Sequence, residues 1–280
     1  MNQKQLFDQV SLRCSKLTTR AYSTSFSLGI SCLERSLRNP IYSIYGFVRL
    51  ADEIVDTFHE FDKASLLQRF REETYRSIDE GISLNPILNS FQHTVRTYKI
   101  DRDTIEQFLH SMEMDLAPHA YSRELFEEYI LGSAEVVGLM CLRVFCKGDE
   151  PSYQRMKPHA MKLGAAFQKI NFLRDLKADN EGLGRMYFPG IDFNNFDAEA
   201  KAQIEAEIEK DFHEGYIGIK MLPRGARFGV YVAYVYYLAL FKKIRSLSSH
   251  HVAAARIRID NKQKLSLLAL SFVKHQFNML

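Results

Sequence analysis

Cysteine is scarce and unpatterned in this chain of 280 residues: Cys14, Cys32, Cys141 and Cys146 form no CxxC pair and show no metal-ligand spacing. That excludes a cysteine-built metal site and predicts reduced core thiols in a cytoplasmic protein. The N-terminus, MNQKQLFDQV, lacks the apolar stretch of a signal peptide. Long hydrophobic runs are missing too. The longest, Phe228 to Phe241, covers 14 residues between Arg227 and Lys242, which predicts a buried helix rather than a membrane span. Alternating strand-like patterns, internal repeats and low-complexity tracts are almost absent. The net charge of +3 is too small to imply a nucleic-acid partner.

What remains is helical. Apolar residues recur at three- and four-residue spacings, as at Leu66, Leu67 and Phe70 and at Ile105, Phe108, Leu109 and Met112. Breakers fall at Asn39-Pro40, Asn85-Pro86, Lys147 to Asp149 with Pro151, Gly182 to Gly184, Pro189-Gly190 and Pro223 with Gly225. Short connections favour an antiparallel helical bundle, all-α and one domain over 1–280. The one long loop, Asn180 to Asp197, has the length of a lid. A basic segment from Lys242 to Lys274 holds eight Lys or Arg residues and one acid, Asp260. An anionic ligand or anionic membrane surface suits it.

Two acidic constellations stand out. In Arg49-Leu-Ala-Asp52-Glu53-Ile-Val-Asp56, both Asp carboxylates and Arg49 fall on one helix face. In the second, Gly164, Gln168, Asn171, Asp175 and Asp179 form a polar stripe flanked by Phe167, Ile170, Phe172 and Leu173. A lone DxxxD pair is usually a solvated helix face. An amide-and-carboxylate stripe with apolar flanks is a buried one and needs partners. Two facing pairs suit magnesium, which takes hard oxygen ligands and completes its shell with substrate phosphate. A di-iron bundle would need Glu-x-x-His pairs, and none of the nine histidines has a Glu three residues before it.

These residues resemble the squalene and phytoene synthases. Ser23-Thr24-Ser25-Phe26 is similar to that family's N-terminal HSxSF segment, whose hydroxyls bind diphosphate, with Tyr22 where His is usual. Ile44 to Asp56 is similar to its first Asp-rich motif, with Glu53 where Asp is usual. Met112 to Leu116, Tyr129 and Val137 to Met140 resemble the segment lining its reaction cavity, with Glu135 where Gly is common. Gln168 to Pro189 matches the second motif and its trailing GRxYxP, from Gly184, and Arg256 to Lys264 resembles its basic C-terminal segment.

The resemblance implies an isoprenoid-synthase bundle with a central cavity that joins two allylic prenyl diphosphates head to head. Asp52, Asp56, Asp175 and Asp179, with Asn171, would hold magnesium, or manganese in its place. Ser23, Ser25, Phe26, Arg49, Gln168, Asn171, Arg174, Arg185, Arg256 and Lys264 would bind substrate, and Tyr45, Tyr129 and Phe26 would stabilise allylic cations. The expected reaction takes two geranylgeranyl diphosphates to phytoene through a cyclopropyl diphosphate, without NADPH. Farnesyl-using squalene or dehydrosqualene synthesis is the alternative, and a non-catalytic assembly factor of the same fold the remote one. The expected location is cytoplasmic, with peripheral contact at the inner membrane face.

Overall fold

The computed structural model describes residues 2–117, 121–183, 185–191 and 196–276. Among them it is all α, without a strand. In chain order the helices are α1 (Gln3–Tyr22), α2 (Thr24–Ser31), α3 (Arg35–Asp56), α4 (Lys63–Glu80), α5 (Pro86–Tyr98), α6 (Arg102–Met114) and α7 (Arg123–Ile130). A π-helical turn, Leu131–Glu135, joins α7 to α8 (Val136–Cys146). Then follow α9 (Glu150–Leu183), α10 (Ala198–Met221), α11 (Arg224–Arg245), α12 (Ser249–Ala254) and α13 (Asn261–Gln276).

Several breakers act as read. Asn85 caps α5, its side chain accepting from Ile87 N at 3.0 Å, and Pro86 opens the helix, where its missing N–H costs nothing. Others do not break. Helix α3 runs through Pro40, and α9 likewise contains Pro158, which was not among the breakers. Each proline lies within the first two or three turns, where only one backbone hydrogen bond is lost and packing outweighs it. Helix α9 also continues past Asn180 to Leu183, so the expected lid is shorter. Gly184 and residues 192–195 of it lie outside the described residues.

Two apolar clusters build the core. In one, Phe47 of α3 stacks on Phe91 of α5 at 3.9 Å between centroids and tilts against Phe108 of α6 at 5.3 Å. The second joins Phe172 and Leu173 of α9 to Phe212 of α10 and Phe241 of α11. The burial of Phe47, Ala51 and Val55 turns Arg49, Asp52 and Asp56 the other way, towards a cavity. Ile170, Leu173 and Leu176 do the same on α9 for Asn171, Asp175 and Asp179.

Helices α8 and α9 touch backbone to backbone along this cavity. A Cβ on Gly164 would stand 2.7 Å from the Ala134 carbonyl oxygen, and one on Gly138 2.9 Å from that of Ala160. Because the obstruction is backbone, it cannot swing aside. Gly164→Ala is therefore expected to cost about 1–3 kcal/mol, read as a melting temperature lowered by roughly 2–10 °C. An unchanged melting temperature would mean the two helices do not press together there.

The reading of membrane length is corrected. The continuous helix Arg123–Cys146 covers 24 residues, and its most apolar 18-residue window has a mean hydropathy of 1.6, long and apolar enough to cross a bilayer by length and composition. Glu127, Glu128, Glu135 and Arg143 interrupt its apolar run, which hid it from counting. Its most apolar window is 67% buried against the rest of the fold, as a core helix is. The π-turn within it turns Ser133 and Ala134 onto the cavity wall. Glu135 instead points into a buried ion-pair network behind that wall. Its Oε1 is 4.0 Å from Lys162 Nζ, which approaches Asp211 at 3.7 Å, while Lys169 binds Asp211 at 2.8 Å.

Candidate active site

The cavity measures about 630 Å³ and is walled by both core clusters. Its polar end is built by α3 and α9. On α3, Arg49 Nη1 meets Asp52 Oδ2 at 2.6 Å and also pairs with Glu53, while its guanidinium lies 4.3 Å from the Tyr22 ring centre. Tyr22, which stands in place of the usual histidine, thus clamps Arg49 by a cation–π contact. On α9, Asn171 donates to Gln168 Oε1 at 3.1 Å and accepts from the Tyr237 hydroxyl at 3.1 Å. Asp175 accepts from Arg174 Nε at 3.1 Å and pairs with Arg256 Nε at 2.8 Å.

Arg185 ties the two sides together. Its Nη1 donates to Asp56 Oδ1 at 2.7 Å and its Nη2 to the Asp115 carbonyl at 2.7 Å. Asp115 was not among the predicted site residues, yet it anchors this corner. Buried at 6% exposure, it accepts from the Tyr129 hydroxyl at 2.7 Å and the Tyr187 hydroxyl at 3.3 Å. The only signal in the sequence was the Met112 to Leu116 segment that contains it. Tyr129 is therefore more than an aromatic face, since its hydroxyl is committed to Asp115.

Of the rings, Phe26, Tyr45 and Tyr129 line the cavity, and Tyr237, which the sequence did not single out, joins them. The Phe26 ring lies 5.8 Å from Tyr45 and 5.9 Å from Tyr237, and all three line the cavity. The Ser23 hydroxyl also faces it, but caps α2 by accepting from Phe26 N at 3.2 Å. Two assignments are corrected: Ser25 and Lys264 are not part of the cavity wall. Lys264 Nζ donates to Thr24 Oγ1 at 3.2 Å, held there because its backbone carbonyl accepts from the Tyr236 hydroxyl.

Burial and like charge dominate the electrostatics. Asp52 is pushed up to about 7, chiefly by burial and then by Asp56, with Arg49 opposing. Asp179 is also raised to about 7, by burial, Asp175 and then Asp56 on the facing helix. Burial pushes Asp115 up to about 6 against the pull of Arg185. The arginines present thus leave the cluster short of positive charge. Its donors are the hard oxygens that magnesium takes. Among the described residues no group of three or more acidic, His or Cys side chains is gathered to hold a metal by itself. A metal here would need phosphate oxygens to complete its shell, and on charge and donor type the residues fit one.

A pH dependence follows. An acid whose folded pKa of about 7 exceeds its ordinary 3.8 binds more protons folded than unfolded between those values, so stability falls as pH rises through that window. The melting temperature of the metal-free protein is expected to drop between pH 5 and about 7.5, and the drop should shrink in the Asp52→Asn, Asp179→Asn double variant. Equal slopes for the two proteins would show that these carboxylates ionise freely.

Comparison with known proteins agrees with this geometry. The family model described as squalene/phytoene synthase matches residues 19–263. A presqualene diphosphate synthase of Sinorhizobium fredii is 31% identical over 178 residues, 60% of this chain and 59% of that protein. A 15-cis-phytoene synthase of Synechocystis is 25% identical over 289 residues, covering 94% of this chain and 84% of that protein. The matched stretch spans about three-fifths of the presqualene diphosphate synthases. Among solved structures, a dehydrosqualene synthase superposes with a TM-score of 0.81 at 18% identity over 96% of this chain and 98% of the other. A squalene synthase of Alicyclobacillus acidocaldarius does so with a TM-score of 0.74 at 23% identity over 85% and 94%. The fold is that of these synthases. With the family match running through both acidic pairs and Arg185, the chain belongs to the squalene/phytoene synthase family.

Proposed function

We propose that the protein is a prenyltransferase that condenses two prenyl diphosphates head to head, with geranylgeranyl diphosphate as substrate and phytoene as product. The observation that carries this reading is a single cavity with two facing Asp pairs at one end and an apolar wall beyond them. Magnesium, held by Asp52, Asp56, Asp175 and Asp179 with Asn171, would neutralise the departing diphosphate. Arg49, Arg174, Arg185 and Arg256, all on the cavity wall, would grip phosphate oxygens. Phe26, Tyr45 and Tyr237 present ring faces to the allylic cation, each contributing about 0.5–2 kcal/mol. The second chain's double bond attacks that cation, and loss of a proton from the resulting tertiary cation closes the ring to a cyclopropyl diphosphate. Loss of the second diphosphate, rearrangement and loss of a proton then yield the hydrocarbon. The enclosing apolar wall keeps water from quenching the cations.

A second reading rests on the presqualene diphosphate synthases among the relatives: the reaction would stop at a product that keeps a diphosphate. Intact acidic pairs disfavour a non-catalytic assembly factor. Purified protein incubated with magnesium and either prenyl diphosphate decides among these. Phytoene from geranylgeranyl diphosphate is expected. A phosphorylated product, or turnover of farnesyl diphosphate alone, would replace the proposed substrate and product. No turnover of either would remove the reading.

A further inference from the structure

Helix α13 exposes several of its large apolar residues on the side away from the fold. One face packs on α11, with Ser271 buried and the Phe272 and His275 rings 5.9 and 4.9 Å from that of Phe228. The opposite face carries Leu265 at 66% exposure, Leu270 at 62% and Val273 at 49%, and Phe272, half exposed, lies at its edge. On the helical repeat Leu265, Val273 and Leu270 spread over the broad side that faces away from Ser271. Four of the twelve large apolar side chains that the described surface exposes thus fall within nine residues. Scattered singly they would need no explanation, but a clustered patch does.

The charge around the patch selects its partner. Lys262 and Lys274 stand exposed at the two ends of α13, and Arg258, Lys242 and Lys243 are exposed nearby in the sequence. Lys243 Nζ donates to the Arg258 carbonyl at 2.7 Å, which holds these segments together. Asp260 is the only acid between Lys242 and Lys274. An apolar patch with a cationic border suits an interface that is hydrocarbon below and anionic at its surface.

The position is equally telling. Lys264 of α13 bonds to Thr24, the residue after Ser23, and both Ser23 and Tyr22 line the cavity. Tyr22 is nevertheless 52% exposed, so the cavity opens at this point. Arg256, just ahead of α13, is on the cavity wall as well. The exposed patch therefore stands beside the mouth through which any ligand enters.

We propose that the outer face of α13 is a docking surface for an anionic lipid bilayer, which seats the cavity mouth against the membrane. The apolar side chains enter the headgroup boundary and the lysines meet anionic headgroups. The contact is peripheral and reversible, and it goes beyond the catalytic reading because it stands whatever the cavity converts.

Sedimentation of the 280-residue chain with vesicles tests it without using turnover. The protein should bind vesicles of phosphatidylcholine with phosphatidylglycerol, and bind pure phosphatidylcholine vesicles far less. The Leu265→Gln, Leu270→Gln double variant should lose about tenfold in partitioning while keeping the salt dependence of the parent. The Lys262→Gln, Lys274→Gln double variant should also lose about tenfold, but with a flatter salt dependence. All four side chains are solvent-exposed, so both variants should melt as the parent does. If the glutamine pair melts early, Leu265→Ala with Leu270→Ala replaces it. Equal binding to neutral and anionic vesicles, no binding to either, or unchanged binding by a folded leucine variant would overturn the proposal. So would a parent dimer that the leucine variant dissociates, since a second copy of the chain would then be what covers the face.

Discussion

Asp175→Asn and Asp52→Asn are each expected to lower turnover by a factor on the order of 10³, the loss seen when a group that stabilises developing charge is removed. Asparagine keeps the volume and one oxygen but cannot carry the charge that offsets a metal. The two substitutions should differ in stability. Asp52 is disfavoured in its ionised form by burial and by Asp56, so its replacement should leave the melting temperature at pH 8 unchanged or raised. Asp175 is bonded to both Arg174 and Arg256, and its loss should release Arg256, which is half exposed and returns to water at little cost. Kinetics with magnesium and prenyl diphosphate, alongside thermal melts, measure both effects. Turnover within tenfold of the parent in either variant would end the metal-binding reading of these motifs.

Arg185→Met should give the largest loss of stability. Its guanidinium is 7% exposed and joins Asp56 of α3 to both the carbonyl and the carboxylate of Asp115, next to Tyr187. Removing one partner from such a set leaves the others buried without compensation, at about 3–5 kcal/mol. For a chain of this length that is a melting temperature lower by roughly 6–20 °C. Adding Asp115→Asn should restore part of it, because the stranded charge is then gone. Additive losses in that double-mutant cycle would show that Arg185 and Asp115 do not interact. The same variant should lose activity, since Asp56 would be left without its partner.

Periodicity and short motifs were enough to read the helical class, the faces of α3 and α9, the order of the two acidic pairs and the burial of the second. These are local properties: the helical repeat fixes which residues share a face wherever the helix is placed. The identity of Arg185 as a site residue was also readable, through its motif. Its partners were not. Asp56 and Arg185 are 129 residues apart, and Asp115 lies in a stretch whose own pattern marks only an ordinary amphipathic helix. Pairing at such separation is set by how helices cross, and one Asp in an apolar stripe carries no mark of whether it will face solvent or an arginine. Packing likewise decided that Ser25 and Lys264 miss the cavity, that Glu135 faces Lys162 behind the wall, and that Gly164 meets the Ala134 carbonyl. It also decided the outward face of α13. Apolar residues fall all round α13, so which of them a neighbour covers depends on where α11 lies.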